Sequence, residues 1–172
     1  MPDKTLAMRA LDGMGIDYKV IVFPATIHDA RGVAESAGLP YSQVFKTLVA
    51  RSPEASARPV LILVPADCNL DLRAAAHELS RKKLQMATQA EAERSTGLKV
   101  GGISALALLH KGFQVYLDRS AESLETFVVS AGQRGLNLQM RVEDFRRATG
   151  ATWIRAAKPD AHEPGGEPDR SP

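Results

Sequence analysis

The segment VFKTLVAR (residues 44–51) is followed by SPEASARP (52–59), which has the composition of a turn, and then by VLILV (60–64). The continuous apolar run of the third segment is typical of a strand that is buried on both faces of a sheet. The first segment is rich in strand-forming residues, and a lysine, Lys46, stands among its apolar side chains. The two segments therefore predict two strands of a sheet, with Lys46 on the first.

Helices and further strands are predicted on both sides of this pair along the chain. The predicted helices cover residues 4–14, the stretch from an N-cap at Asp29 to residue 37, the stretch from Asp71 to residue 79, the stretch from a capping box of Thr88 and Glu91 to residue 95, and residues 142–148. The predicted strands cover residues 18–23, 83–86, 113–117, 127–129 and 136–140. Strands outnumber helices and alternate with them irregularly, which predicts an α/β chain of the α+β type, with a mixed, curled sheet and helices outside it.

The composition is that of an ordinary globular protein. The chain has 172 residues, of which 44% are hydrophobic and 24% charged, enough for one domain with a buried core. No apolar run approaches the roughly 20 residues of a membrane-spanning helix, and residues 1–15 do not resemble a signal peptide, so a cytoplasmic protein without a membrane partner is the default expectation. Cys68 is the single cysteine and the four histidines lack the spacing of zinc ligands, so we expect no metal and no cofactor.

The net charge of +2 is too small to identify a nucleic-acid-binding protein. Three basic clusters could contact phosphates, but a solvated surface would have the same composition, and both interpretations stay open. The clusters are Arg81 to Lys83, His110 with Lys111, and Arg146 with Arg147.

Three segments carry candidate functional residues: VFKTLV (44–49), STG (95–97) followed by VGGIS (100–104), and VSAGQRGL (129–136). The glycines of the second and third segments bring backbone amides and carbonyls within reach of a ligand because no Cβ intervenes. Two glycine loops and a lysine would suit a small polar group with phosphates nearby. Taken singly, each glycine pair is also typical of a tight turn, and Lys46 of a side chain that reaches from a strand edge to water.

In this order, the three segments resemble the YbaK/EbsC family of freestanding aminoacyl-tRNA deacylases, which is related to the editing insertion of bacterial prolyl-tRNA synthetases. The resemblance covers about residues 4–155 and includes Leu70-Asp71-Leu72 and the stretch from Lys82 to Ala87. It implies a single compact domain, with mixed, largely antiparallel strands wrapped by helices. It also implies a hydrolase that removes a wrongly attached amino acid from the 3′ end of a tRNA, with aminoacylated tRNA and an aminoacyl-tRNA synthetase as partners and no DNA partner.

The resemblance also assigns candidate site residues. Lys46 falls on the essential lysine of the family, in the same KTL context. The residues that match those around the family's pocket are Thr47, Gly101, Gly102, Ile103, Ser104, Gly132, Arg134 and Gly135. No Ser–His–Asp or Cys–His set is apparent, so the sequence favours charge stabilisation and positioning over a covalent intermediate.

The chain departs from the relatives that act on cysteinyl-tRNA at a few positions. Phe23 stands where those relatives carry a tyrosine, Asn137 where they can carry an aspartate, and His28 lies in a shorter loop. His28 could bind a hydroxylated side chain, or it could be an ordinary surface histidine. A pocket that hydrogen-bonds a hydroxyl discriminates strongly, so we expect serine, threonine or alanine as the edited amino acid, with Cys-tRNA(Pro) as the alternative.

The last residues, KPDAHEPGGEPDRSP (158–172), are dominated by proline, glycine and charge. Such a segment buries too little apolar surface to repay its ordering entropy. We therefore expect an editing domain at residues 1–157 and a disordered C-terminal tail at 158–172 that is outside the function. A binding module without catalysis, which carries tRNA or docks on a synthetase, is the remaining alternative to an enzyme.

Overall fold

A computed structural model describes residues 3–160 of the chain. Its helices are α1 (Leu6–Met14), α2 (Ala30–Ala37), α3 (Leu72–Glu78), α4 (Gln89–Thr96) and α5 (Val142–Thr149). Its strands are β1 (Lys19–Val22), β2 (Phe45–Arg51), β3 (Val60–Pro65), β4 (Cys68–Leu70), β5 (Gln85–Met86), β6 (Val115–Asp118), β7 (Thr126–Gln133), β8 (Leu136–Arg141), β9 (Thr152–Ile154) and β10 (Ala157–Pro159). Short 3-10 helices cover Tyr41–Gln43, Leu106–Lys111 and Arg119–Ser123.

The predicted strands at residues 44–51 and 60–64 form the middle of a five-stranded sheet. Its order is β5-β2-β3-β6-β9, with β2 antiparallel to both its neighbours and β6 parallel to both of its own. Every residue of β3 is buried, as its continuous apolar sequence predicts for a strand that is covered on both faces. Lys46 lies opposite Val64 near one end of β2.

A second, three-stranded sheet packs against the first, with the antiparallel order β1-β8-β7. An isolated parallel bridge between Val44 and Val128 joins the start of β2 to β7. Phe45 contacts Phe127 edge to face at 5.4 Å between ring centroids, and Phe127 contacts Phe145 at 5.1 Å, so the main core lies where β2, β7 and α5 meet. The expected fold of mixed, largely antiparallel strands with helices outside is confirmed.

The helix starts follow the capping residues of the sequence. The side chains of Asp29 and Asp71 each accept a hydrogen bond from a backbone N–H in the first turn of α2 and α3. Thr88 and Glu91 form the predicted capping box at α4. Each cap satisfies N–H groups that would otherwise have no partner, so the helix start is fixed by local chemistry.

The end of the ordered domain was misplaced in the sequence analysis. Residues 157–159 form β10, which pairs with β4, and Asp160 is held by a backbone hydrogen bond from its N–H to the carbonyl of Asp67 at 3.0 Å. The reason is a pairing with a distant strand, which composition does not reveal. Residues 161–172 of the expected tail lie outside the described residues.

The buried carboxylate of Asp118 fixes the backbone at the start of β10. Its Oδ1 accepts hydrogen bonds from the backbone N–H groups of Ala156 and Ala157, both at 2.9 Å. Burial alone would raise the pKa of Asp118, but the hydrogen bonds from Ser120, Ala156 and Ala157 outweigh it and hold the pKa below its ordinary value. The carboxylate is therefore charged at neutral pH and fixes the path of residues 156–157.

Candidate active site

A cleft of about 530 Å³ lies at the Lys46 end of β2, where the two sheets meet. One wall is the start of α2 with the loop before it, and a second is the first part of β2. The Gly101 loop, β5 with the start of α4, and the facing ends of β7 and β8 complete it. The polar and glycine residues that line it are His28, Asp29, Arg31, Lys46, Thr47, Gln89, Gly101, Ser130, Asn137 and Asp160.

Lys46 is the half-buried cation of this cleft. Burial lowers the pKa of its ammonium, and the nearby Arg31 lowers it further. The carboxylates of Asp160 and Asp67 act in the opposite direction, as does the Cys68 sulfur when it is ionised. A desolvated ammonium interacts more strongly with developing negative charge than an exposed one, because less water competes.

The neighbouring hydroxyl of Thr47 is unusual. Its Oγ1 is buried without a hydrogen-bond partner among the described residues, which is costly for a hydroxyl. A buried polar group that lacks a partner calls for an explanation, and here it lies beside Lys46 on the wall of a cleft. A bound water or substrate group that reached this hydroxyl would remove the cost.

Six of the predicted site residues do line the cleft. They are Lys46, Thr47, Gly101, Ile103, His28 and Asn137, drawn from four separate parts of the chain. The structure places all six on the wall of one cavity, and their roles in the reaction stay predictions. Asn137 is only 6% exposed, so its amide is held firmly between β1 and β7.

Gly102, Gly132 and Gly135 are not among the residues that line the cleft, and their predicted contact with substrate stays a prediction. A Cβ on Gly102 would meet the backbone N of Arg134 at 3.0 Å, and one on Gly135 would meet the carbonyl oxygen of Phe23 at 3.0 Å. A Cβ on Gly132 would meet Ala107 at 2.9 Å. Because these glycines have no side chain, other segments of the protein pack closely against them. The glycines therefore stabilise the wall of the cleft from the side that faces the protein interior.

Ser104, Arg134 and Phe23 also lie outside the cleft lining, and their predicted contact with substrate stays a prediction. Ser104 is buried, and its Oγ accepts a hydrogen bond from the N–H of Ala107 at the start of a 3-10 helix. Arg134 donates from Nε to the carbonyl of Val100 at 2.8 Å and so ties the third segment to the second. Phe23 is a core residue, packed with Val33, Val44 and others.

The sequence analysis missed Arg31, Ser130 and Asp160 as cleft residues. Arg31 could have been found, because it lies in the first turn of a helix whose N-cap, Asp29, follows the candidate His28. Ser130 belongs to the segment VSAGQRGL (129–136), but it was not selected there as a candidate site residue. No local sequence pattern predicts the position of Asp160 in the cleft, because that position depends on the pairing of β10 with β4.

A second, larger cleft of about 700 Å³ lies at the other end of β2 and carries no candidate for the chemistry. Its charged lining residues are Glu54, Arg58, Arg81, Lys82 and Lys83. We assign the chemistry to the smaller cleft, because only that cleft contains Lys46, the unsatisfied Thr47 hydroxyl and the glycine loop. The larger cleft is called the basic cleft below.

Comparison with known proteins identifies the family of the chain. The family model of the aminoacyl-tRNA editing domain matches residues 24–148. The chain is 34% identical, over 143 residues that cover 81% of it and 85% of the relative, to a protein of Enterococcus faecalis named "Putative Cys-tRNA(Pro)/Cys-tRNA(Cys) deacylase EbsC".

Two solved structures share the fold. The hypothetical protein APE2540 matches with a TM-score of 0.80 at 18% identity, over 89% of this chain and 99% of the other. "A putative trans-editing enzyme for prolyl tRNA synthetase" matches with a TM-score of 0.77 at 24% identity, over 91% and 99%.

The fold and the cleft define an editing hydrolase, a deacylase that acts on aminoacylated tRNA. The chain belongs to the aminoacyl-tRNA editing domain family, and within it to the YbaK/EbsC group that its motifs resemble. None of the helices within residues 3–160 is long and apolar enough to cross a membrane.

Proposed function

We propose that this deacylase removes serine, threonine or alanine from mischarged tRNA in the cytoplasm, with Lys46 as its catalytic residue. The observation that carries the proposal is the position of Lys46. Its half-buried ammonium shares a cleft with the backbone of the Gly101 loop, where it can reach an ester bound against that loop.

In the proposed mechanism, water attacks the ester carbonyl and the carbonyl oxygen gains negative charge, which the Lys46 ammonium stabilises. Backbone groups at Gly101 and Ile103 orient the ester, and the neighbouring ribose hydroxyl moves the proton to the leaving oxygen. The C–O bond to the ribose then breaks, releasing the free amino acid and the intact tRNA. Burial raises the pKa of Cys68 to about 11, so this thiol is protonated at neutral pH and does not supply the nucleophile.

The preference for serine and threonine rests on the polar side chains around the cleft, whereas alanine shares only their small size. Thr47, Ser130, Asn137 and His28 bring hydroxyl, amide and imidazole groups to its wall. Polar groups that are desolvated around a substrate hydroxyl reject an analogue that leaves them unpaired. Cys-tRNA(Pro) is the alternative substrate, because the relative from Enterococcus faecalis carries that specificity in its name.

A panel of tRNAs charged with serine, threonine, alanine or cysteine tests the substrate assignment. We expect faster deacylation of at least one of the first three than of cysteinyl-tRNA, measured as kcat/KM from release of the labelled amino acid. Fastest turnover of cysteinyl-tRNA(Pro) would instead support the alternative. Repeating the panel with prolyl-tRNA synthetase added tests the proposed synthetase partner, which would lower KM for tRNA(Pro) alone.

The basic cleft is the proposed contact for the tRNA backbone. Lys82 and Lys83 are exposed at its rim, and Lys83 is three residues from Met86, which lines the catalytic cleft. Since extended chain spans roughly 3.3 Å per residue, the backbone positions of Lys83 and Met86 are at most about 10 Å apart. A single-stranded 3′ end bound at Lys46 can therefore bring the following phosphates of the acceptor arm to Lys82 and Lys83.

Replacing both Lys82 and Lys83 with alanine is expected to raise KM for charged tRNA. It should also reduce the slope of log KM against log salt concentration by about two, because each lost phosphate contact removes about one released counterion. Turnover of an aminoacylated adenosine should not change, because it has no phosphate that could contact the basic cleft. Arg147→Ala, in the exposed cluster on α5, is the control. An unchanged salt slope in the double variant would contradict the proposed path.

A further inference from the structure

A carboxylate lies beside Lys46 that neither the motifs nor the comparisons assign. Asp160 follows β10, twelve residues after the family match ends at residue 148. It lines the catalytic cleft together with Lys46 and Arg31. Its Oδ2 lies 3.6 Å from an Arg31 Nη atom, and its Oδ1 accepts a hydrogen bond from the Asn69 amide at 3.3 Å.

We propose that Asp160 is a positioning residue of the active site: its carboxylate pairs with Arg31 in the cleft that Lys46 lines, and so fixes the placement of the two cations there. The inference rests on the proposed role of Lys46 as the group that stabilises the oxyanion. The proposal adds β10, the strand that precedes Asp160, to the elements that build the active site.

The backbone holds this carboxylate firmly. Lys158 and Pro159 pair with Asn69 and Cys68 of β4, and the Asp160 N–H donates to the carbonyl of Asp67. At the other end of the segment, Asp118 fixes the N–H groups of residues 156 and 157. The side chains of Asp160 and Arg31 are only 18% and 24% exposed, so water screens their interaction less than on an open surface.

Arg31 is fixed from a second direction as well. Its guanidinium lies over the ring of Tyr41, 5.0 Å from the centroid, and it belongs to the first turn of α2. Without a carboxylate near them, the two cations of the cleft would repel each other. Asp160 relieves this repulsion and leaves both cations facing the space where a substrate binds.

The charged groups around Lys46 determine how removal of the Asp160 carboxylate changes the pKa of Lys46. Burial and Arg31 of α2 both favour the neutral amine, whereas Asp160 and Asp67 favour the ammonium, as does Cys68 of β4 once its sulfur is ionised. His28 and Asp29 line the same cleft. Asp160 is the largest of the groups that raise the Lys46 pKa. Removing its charge therefore lowers that pKa, so that the ammonium is lost at a lower pH.

The test compares Asp160→Asn and Asp160→Glu with Asp17→Asn, a control at an exposed aspartate outside the cleft. We expect Asp160→Asn to lower kcat by roughly ten- to a hundredfold, the scale of a misplaced catalytic group. KM should change much less, and the high-pH limb of the kcat profile should move to lower pH. Asp160→Glu, which restores the charge, should recover part of kcat and move the limb back.

A second measurement does not depend on turnover. The pKa of Lys46 is followed by heteronuclear NMR of its side chain, assigned with Lys46→Arg, in the wild type and in Asp160→Asn. A lower Lys46 pKa in the variant supports the proposal, even if the wild type fails to hydrolyse any charged tRNA and the proposed function falls. An unchanged Lys46 pKa overturns it, and so does a loss of kcat without movement of the pH limb, which would indicate a merely structural role.

Discussion

Lys46→Ala is expected to fold normally and to lose nearly all deacylation of mischarged tRNA. Removing a group that stabilises an oxyanion costs about 10²–10³ in kcat, equivalent to about 3–4 kcal/mol of transition-state stabilisation. The fold should tolerate the change, because Lys46 is half-buried and burial disfavours its charged form. The measurement is kcat on the preferred charged tRNA, with circular dichroism and urea unfolding to check the fold.

Two further variants separate charge from geometry at this position. Lys46→Arg keeps a cation but replaces a compact ammonium with a planar fork, so it should also be poor. Lys19→Ala, an exposed lysine on β1, is the matched control and should retain full activity. Wild-type turnover in a folded Lys46→Ala variant would contradict the assignment of the catalytic residue.

The pH dependence of the wild type follows from the same charge. Activity that needs the ammonium is present below the Lys46 pKa and is lost as the pH rises through it. Since burial and Arg31 lower this pKa, although Asp160 partly restores it, the loss should begin at a lower pH than for an ordinary lysine. In Lys46→Arg any residual activity should lack this limb, because the guanidinium does not titrate in the range.

Local chemistry explains which parts of the fold could be predicted from the sequence. Asp29, Asp71 and Thr88 cap helices through hydrogen bonds that span three residues, so their effect is visible in a short window. The buried strand β3 was equally visible, because an apolar run of this length needs cover on both faces. The place of Lys46 within its strand followed from the same window.

The parts that were missed depend on contacts between distant segments. β10 pairs with β4 across almost ninety residues of chain (Lys158 with Asn69), and no pattern within residues 157–160 announces it. Phe23 is a candidate because it stands where relatives carry a tyrosine, yet it packs with Val33 and Val44 in the core, and its local sequence does not reveal that contact. The glycines were correctly recognised as sites of close approach, but what approaches them is the protein itself.

Gly132→Ala is expected to destabilise the fold by roughly 2–4 kcal/mol, by combining left-handed backbone strain with overpacking. Gly132 has φ +96°, and a Cβ there would lie 2.9 Å from the Cβ of Ala107. The control is Gly150→Ala, where φ is +70° and no atom lies within 4 Å of the added Cβ. That variant should show the backbone strain alone, about 1–2 kcal/mol. The free energy of unfolding in urea measures both.

A double-mutant cycle then separates the contact from the strain. Ala107→Gly removes the atom that the new Cβ would meet, so Gly132→Ala with Ala107→Gly should be more stable than the sum of the single changes by about 1–2 kcal/mol. If Gly132 contacted the substrate and not Ala107, the single variant would lose only the stability that backbone strain costs, would not couple to Ala107, and would show a raised KM. The cycle thus decides whether this glycine loop binds the ligand or supports the wall behind it, because only a supporting glycine couples to Ala107 when no substrate is present.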